Sequence, residues 1–180
     1  MVNKLPRITT YVLLLIIAFV VGYSLYKQRA SDETLHQAPN PEKVLASSSK
    51  ELILRDSIAA FGMKYLGSPY VEAGNGEIGF DCSGFVHFVY KHFHIAVPRS
   101  SADFEKFGTE IPIDAVQKGD ILLFLSPTRN VIGHIGIVLN ADGKNSDFVH
   151  ASSGREMKVI VSSVATKGYS NRFVKAIRVL

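Results

Sequence analysis

The pattern of apolar and polar positions divides the chain into three stretches. Residues 8–26 are 19 positions without a charge, dominated by Val, Leu, Ile and Phe. A helix of that length just spans a bilayer core of about 30 Å. Residues 27–50 are polar, with Pro39, Pro41 and the run Ser47, Ser48, Ser49, and show no apolar period. This composition predicts a flexible tether, whose roughly 20 residues would have an end-to-end distance of about 25 Å. From Glu51 onward apolar residues recur regularly, and no internal repeat is visible.

Within that last stretch the period changes once. Ser48-x-x-Glu51 has the form of a capping box and is followed by Leu54, Ile58, Phe61 and Tyr65, which predicts an amphipathic helix ending at Gly67, with Pro69 beyond. A second helix is predicted from Asp81 or Cys82, with Phe85, Val86, Val89 and Phe93 on one face, and a short third over residues 101–107, closed by Gly108. Gly119-Asp120 then signals a turn, and residues 121–125 form the continuous apolar run of a buried strand. Further strands are predicted at 135–139, 146–151, 157–161 and 173–179, separated by Asp142-Gly143, Ser153-Gly154 and Lys167-Gly168. Helices followed by a meander of strands give an α+β class, with helices packed on an antiparallel sheet.

Composition narrows the partners. The chain has 180 residues, 47% hydrophobic and 20% charged, enough for one domain with a real core. Its formal charge is +4, yet residues 51–180 hold 14 Lys and Arg against 13 Asp and Glu, so the excess lies in the first fifty residues. The folded part lacks the basic excess of a nucleic-acid binder. Lys4 and Arg7 precede the apolar stretch, which fits a signal anchor or a cleaved signal peptide; Tyr23, Leu25, Tyr26 and Lys27 come after its core, where a cleavage site would want small residues. An uncleaved anchor is therefore favoured over cleavage, and both over a buried core helix. Lys27 and Arg29 nearly balance Lys4 and Arg7, so the charges orient the segment weakly. A domain on the periplasmic or extracellular side is expected. The expected layout is an N-terminal membrane segment (1–27), a linker (28–50) and a folded domain (51–180).

The candidate chemistry centres on the single cysteine, Cys82. A lone thiol cannot staple its own monomer in an exported chain, so nucleophilic catalysis is the first role to test. A thiol attacks as its thiolate, which a helix start and a nearby histidine both favour, and Cys82 falls at a predicted helix start. On the strand near residues 133–139, alternation places His134, Gly136 and Val138 on one face, with Gly136 leaving room for another backbone or a substrate. Phe148 and His150 likewise share a face, so a neighbouring strand could aim His150 at His134 and fix its tautomer. Each residue also has a plainer reading. Cys82 fits a small core residue, His134 and His150 fit satisfied core groups, and His87, His92 and His94 fit a helix face and its C-terminal end. No C-x-x-C or matched ligand pair supports zinc.

Taken in order, Gly67-Ser68-Pro69-Tyr70, Phe80-Asp81-Cys82-Ser83-Gly84, Val97-Pro98-Arg99-Ser100-Ser101, Gly119-Asp120-Ile121, Gly133-His134-Ile135-Gly136-Ile137 and Val149-His150-Ala151-Ser152 resemble the NlpC family of papain-like cell-wall cysteine peptidases. The resemblance covers nearly all of residues 51–180. It implies a papain-like core with Cys82 as nucleophile, His134 as base and His150 as the orienting group, and no metal or organic cofactor. It also implies that Tyr70 helps to stabilise an oxyanion, and that Asp81, Ser83, Arg99 and Ser100 line or support the cleft. The implied substrate is the stem peptide of bacterial peptidoglycan, with the membrane as a second partner. The chain departs from the family's usual pattern at Glu72-Ala73-Gly74-Asn75-Gly76 and at Phe104, both expected at the cleft edge. Two rivals on the same fold are a non-catalytic wall-binding or regulatory module and thioester chemistry that transfers an acyl group to lipid.

Overall fold

The fold is seen in a computed structural model that describes residues 7–36, 40–76 and 78–180. Lys4 and Pro39 lie outside the described residues. The chain divides into two units, Met1–Ser47 and Ser48–Leu180.

In the first unit, helix α1 runs over Arg7–His36. Its stretch Tyr11–Ala30, 20 residues with a mean hydropathy of 1.6, is long and apolar enough to cross a membrane. Helix α2 covers Pro41–Met63. The described residues between 28 and 50 are thus almost all helical, where a flexible coil was expected. Asn40 starts α2 by accepting a hydrogen bond from the Glu42 N–H at 3.0 Å, and Pro41 takes the first helical position, where its missing N–H costs nothing. The Ser48 capping box is therefore not a helix start. Glu42, Lys43, Leu45 and Ala46 favour a helix, and three consecutive serines cost only about half a kcal/mol each, too little to stop one.

The second unit is helices against a sheet. Hairpin strands β1 (Asn75–Gly76) and β2 (Gly79–Phe80) lead into helix α3, Cys82–His92. A 3-10 turn covers Ser101–Lys106. The strands are β3 (Thr109–Ile111), β4 (Ile121–Leu125), β5 (Ile132–Asn140), β6 (Asp147–Ser152), β7 (Lys158–Ser163) and β8 (Phe173–Arg178), with the one-turn helix α4 at Lys167–Ser170. They form one antiparallel sheet in the order β3-β8-β4-β5-β6-β7. The meander β4 to β7 matches the sequence reading. The hairpin and β3 were not anticipated, because two or three residues are too few to display alternation.

Both faces of the sheet are covered. Ile121, Leu123, Ile135, Ile137, Val149 and Ile177 pack with Ile58 of α2 and with Phe85, Val86 and Val89 of α3. Leu122, Phe124, Val138, Phe148 and Ala176 pack on the other face with Val116 and Val164. Two-sided burial is why β4 reads as an unbroken apolar run. Phe104 is fully buried in the first cluster, so it is a core residue and not a cleft residue as expected.

A buried carboxylate ties the layers together. Asp120 Oδ1 accepts from Arg55 Nη1 and Arg178 Nε, both at 3.0 Å, and Oδ2 accepts from Arg178 Nη2 at 2.8 Å and from the Gln117 N–H at 2.7 Å. Next to it the Tyr90 hydroxyl of α3 donates to the Gly119 carbonyl. Burial and the neighbouring Asp120 charge push the Tyr90 hydroxyl far up, so it remains a donor.

Candidate active site

Helix α3 presents Cys82 at its first position. Asp81 is the N-cap, with Oδ1 accepting from the Gly84 N–H at 2.6 Å. Gly84 is required here, since a Cβ would lie 1.9 Å from the Gly74 carbonyl oxygen that receives the Asp81 N–H. Arg99 closes this corner: Nη1 and Nη2 donate to the two Asp81 oxygens at 3.0 and 2.8 Å, Nη1 to Ser83 Oγ at 3.2 Å, and Nη2 to the Ala73 and Gly74 carbonyls at 2.8 and 3.3 Å. Asp81, Ser83 and Arg99, expected to line or support the cleft, are brought together and engaged with one another and with the 73–74 loop. Their visible work is to hold the start of α3. Ser100 is exposed, and its side chain makes no capping hydrogen bond in the turn it precedes.

The thiol faces the backbone of β5 at the residues that flank His134. Cys82 Sγ is 3.8 Å from the Gly133 carbonyl oxygen, and the backbone N–H groups of Ile135, Ser83 and Cys82 are directed at the sulfur. Burial, and after it the Asp81 carboxylate, pushes the Cys82 thiol up, and those N–H groups only partly offset the rise. The sequence pointed the other way, because the helix start is a local feature while burial comes from the whole fold. Tyr70 sits close enough to feel the charge of Cys82 and has its own hydroxyl pushed up, mainly by burial, with Ser153 acting in the opposite direction.

The two histidines meet on the sheet. His134 Nε2 and His150 Nδ1 are 2.9 Å apart, and His150 Nε2 lies 3.0 Å from Ser162 Oγ and 3.3 Å from the Tyr169 hydroxyl. Gly136 makes this possible, since a Cβ there would fall 2.4 Å from the Phe148 ring and 3.1 Å from His150 Cβ. The space left by Gly136 is taken first by the Phe148 ring and then by the Val149 carbonyl at 3.0 Å, a backbone approach of the kind the glycine was expected to admit. Tyr169 stacks near His134 with centroids 6.0 Å apart and meets His150 edge-on at 5.4 Å. Burial holds the His134 pKa well below its usual value and that of His150 at about 4, with Arg172 adding a positive charge against both. Both rings are neutral at pH 7.

Two neutral rings can share the hydrogen between them in either direction, and the chemistry asked of His134 selects one. If His134 Nδ1 is to accept a proton from the thiol, Nε2 carries the hydrogen and donates it to His150 Nδ1, and His150 Nε2–H then donates to Ser162 Oγ. The chain of groups can accept a proton at one end while each inner ring keeps its orientation.

Ser162, Tyr169, Ser153 and Arg172 escaped sequence reasoning. Phe148 pairs with Ser162 across the β6–β7 ladder, so Ser162 would emerge from that register once known; the loop carrying Tyr169 and Arg172 has no local signal. His87, His92 and His94 line a separate cavity of about 480 Å³ with Asn75, Phe88 and Lys91, and His92 stacks flat on Phe61 at 3.8 Å. Among the described residues no group of three His, Cys, Asp or Glu side chains is placed to hold a metal ion.

Residues 67–178 match the NlpC/P60 family. A gamma-D-glutamyl-L-lysine dipeptidyl-peptidase of Bacillus cereus is 30% identical over 153 residues, which are 84% of this chain and 42% of that protein. The murein DD-endopeptidase MepS/murein LD-carboxypeptidase of Escherichia coli is 32% identical over 115 residues, 63% of this chain and 57% of that one. The chain therefore spans only about half the length of these relatives. The crystal structure of an NlpC/P60 family protein from Bacillus cereus superposes with a TM-score of 0.63 at 31% identity, covering 70% of this chain and 40% of the other. With the α+β fold, a cysteine at a helix start and a paired His-His set in place, the chain belongs to the NlpC/P60 family of peptidoglycan hydrolases.

Proposed function

We propose that this protein is a cysteine endopeptidase that hydrolyses an amide bond in the peptide part of peptidoglycan, with its catalytic domain outside the cytoplasm and the apolar α1 as its anchor. The observation that carries the reading is the thiol of Cys82 on the strand that holds His134, itself hydrogen-bonded to His150 at 2.9 Å. In the reaction Cys82 Sγ attacks the amide carbon as its proton passes to His134 Nδ1. The resulting oxyanion is met by backbone N–H groups at the start of α3 and by the Tyr70 hydroxyl, donors typically worth about 3 to 4 kcal/mol each in the transition state. His134 returns the proton to the departing amine, leaving a thioester. Water, deprotonated by His134, then attacks the thioester carbon, and the thiol is regenerated as the acid is released. His150 acts by holding the His134 ring and tautomer throughout.

Incubating the full chain, solubilised in detergent, with isolated peptidoglycan and identifying new amino termini by mass spectrometry tests this. One defined amine should appear with the wild-type protein and none with Cys82→Ala. Intact peptidoglycan, or equal cleavage by the variant, would refute it.

A further inference from the structure

Beside His134 lies a cavity of about 220 Å³, whose lining includes Gly133, Ser152, Tyr169 and Arg172. Neither Cys82 nor Tyr70 lines it. If His134 protonates the departing amine, this cavity receives the residue that leaves with it, so its role rests on the peptidase reading. Among the described residues Arg172 is the one arginine or lysine in its wall, and no carboxylate lines it.

Arg172 is held ready without being neutralised. Its Nε donates to the Gly168 carbonyl and its Nη1 to the Leu125 carbonyl, both at 2.8 Å, and its guanidinium lies 5.2 Å from the centre of the Tyr169 ring. These contacts fix the plane of the fork, while among the described residues no carboxylate pairs with it. Arg99 is the contrast, with its fork filled by Asp81. Ser152 Oγ accepts from the Gly154 N–H at 3.2 Å, which leaves its own O–H to donate. A rigid, half-buried guanidinium beside a hydroxyl donor suits one ligand group, a carboxylate bound by charge-assisted hydrogen bonds.

We propose that this cavity is a carboxylate subsite, in which Arg172 binds a free carboxylate on the amino acid that leaves as the amine. The positive charge of Arg172 acts against protonation of both His134 and His150. A bound carboxylate cancels that charge at the step where His134 must hold a proton. The ligand should therefore raise kcat as well as lower KM.

The test uses two synthetic stem peptides that differ only in whether the departing residue ends in a free carboxylate or a carboxamide. The detergent-solubilised full chain should cleave the acid with a kcat/KM about 10- to 100-fold higher, the range of a charged hydrogen bond. Arg172→Gln should bring the acid-to-amide ratio close to one, and Arg172→Lys should keep part of it. Calorimetric binding to Cys82→Ala should show the same preference, lost in the Cys82→Ala/Arg172→Gln double variant. Equal rates and equal binding of the two peptides by protein with Arg172 intact would overturn the proposal, as would a variant that loses both activities equally with the ratio preserved. Should the glutamine variant fail to fold, the wild-type ratio and the lysine variant decide. Cleavage of neither peptide counts against the peptidase reading alone, and the subsite is then judged by the binding preference.

Discussion

Two polar clusters of the Ser48–Leu180 unit are equally buried and do opposite things. Asp120 and His150 are both 0% exposed. Around Asp120 the charge is kept: two arginines and a backbone N–H saturate the carboxylate, and α2, β8 and the start of β4 are tied to one point. Around His150 the charge is refused: the imidazoles of His134 and His150 stay neutral, and each nitrogen contact at 2.9 to 3.0 Å can pass or hold a proton. Burial alone therefore does not mark a functional group. What separates the two is whether the partners fix a charge or leave the group able to gain one.

The largest effects should separate the clusters cleanly. Cys82→Ala removes the proposed nucleophile and should lower turnover by at least about 10⁴-fold, with Tm nearly unchanged, since alanine suits a helix start and only a weak S–H contact is lost. Asp120→Ala should do the reverse. It removes the buried partner of Arg55, 2% exposed, and of Arg178, leaving Arg55 only the half-exposed Glu51 carboxylate, and should cost about 3 kcal/mol by urea denaturation, with turnover at low temperature largely retained. A Cys82→Ala chain that keeps its activity, or an Asp120→Ala chain as stable as wild type, would erase the distinction.

How legible each cluster was in the sequence depends on how local its partners are. The Asp81 cap and the start of α3 lie within four residues, and the strand β4 announces itself by five apolar positions, so both could be read directly. His134 and His150 were placed on their faces by alternation alone. Their contact was not legible, since it depends on Gly136 admitting the Phe148 and His150 side chains. Arg99 lies 18 residues from Asp81, and Arg172 reaches Leu125 across 47 residues, distances at which no spacing rule speaks. The direction of the Cys82 pKa failed for the same reason: a helix start is visible locally and desolvation is not. At 41–47, by contrast, helix propensity was a local signal that the serine run obscured.

Acid should expose the refused charge. The His150 pKa is about 4 when folded against an ordinary 6.5, so between these values the unfolded chain binds a proton that the folded chain does not. Stability should be full above about pH 6.5 and fall as pH drops toward 4, by about 3 kcal/mol for this ring, with His134 adding in the same direction. His150→Gln should show a shallower fall over that window. Stability that rises on acidification would mean that the folded protein holds imidazolium ions. Alkylation of the free Cys82 thiol should accordingly be slow at pH 7 and climb only as pH passes above the ordinary thiol range; a fast plateau at neutral pH would reveal a thiolate-imidazolium pair.

The smallest effect concerns the outer end of the proton chain, where His150 Nε2 has two partners within reach. Ser162 Oγ at 3.0 Å is the nearer, and the Tyr169 hydroxyl at 3.3 Å is the weaker second. Ser162→Ala should therefore lower kcat about tenfold with little change in KM, because the His150 tautomer loses the acceptor that fixes it while no substrate contact is removed. Tyr169→Phe keeps the ring that stacks near His134, meets His150 edge-on and underlies Arg172, and removes only the hydroxyl. It should cost no more than about threefold in kcat, consistent with a long hydrogen bond of well under about 1 kcal/mol. Steady-state kinetics of the two variants rank the partners. A tyrosine variant slower than the serine variant would make Tyr169 the acceptor, and would move the end of the chain from β7 to α4, just before Arg172.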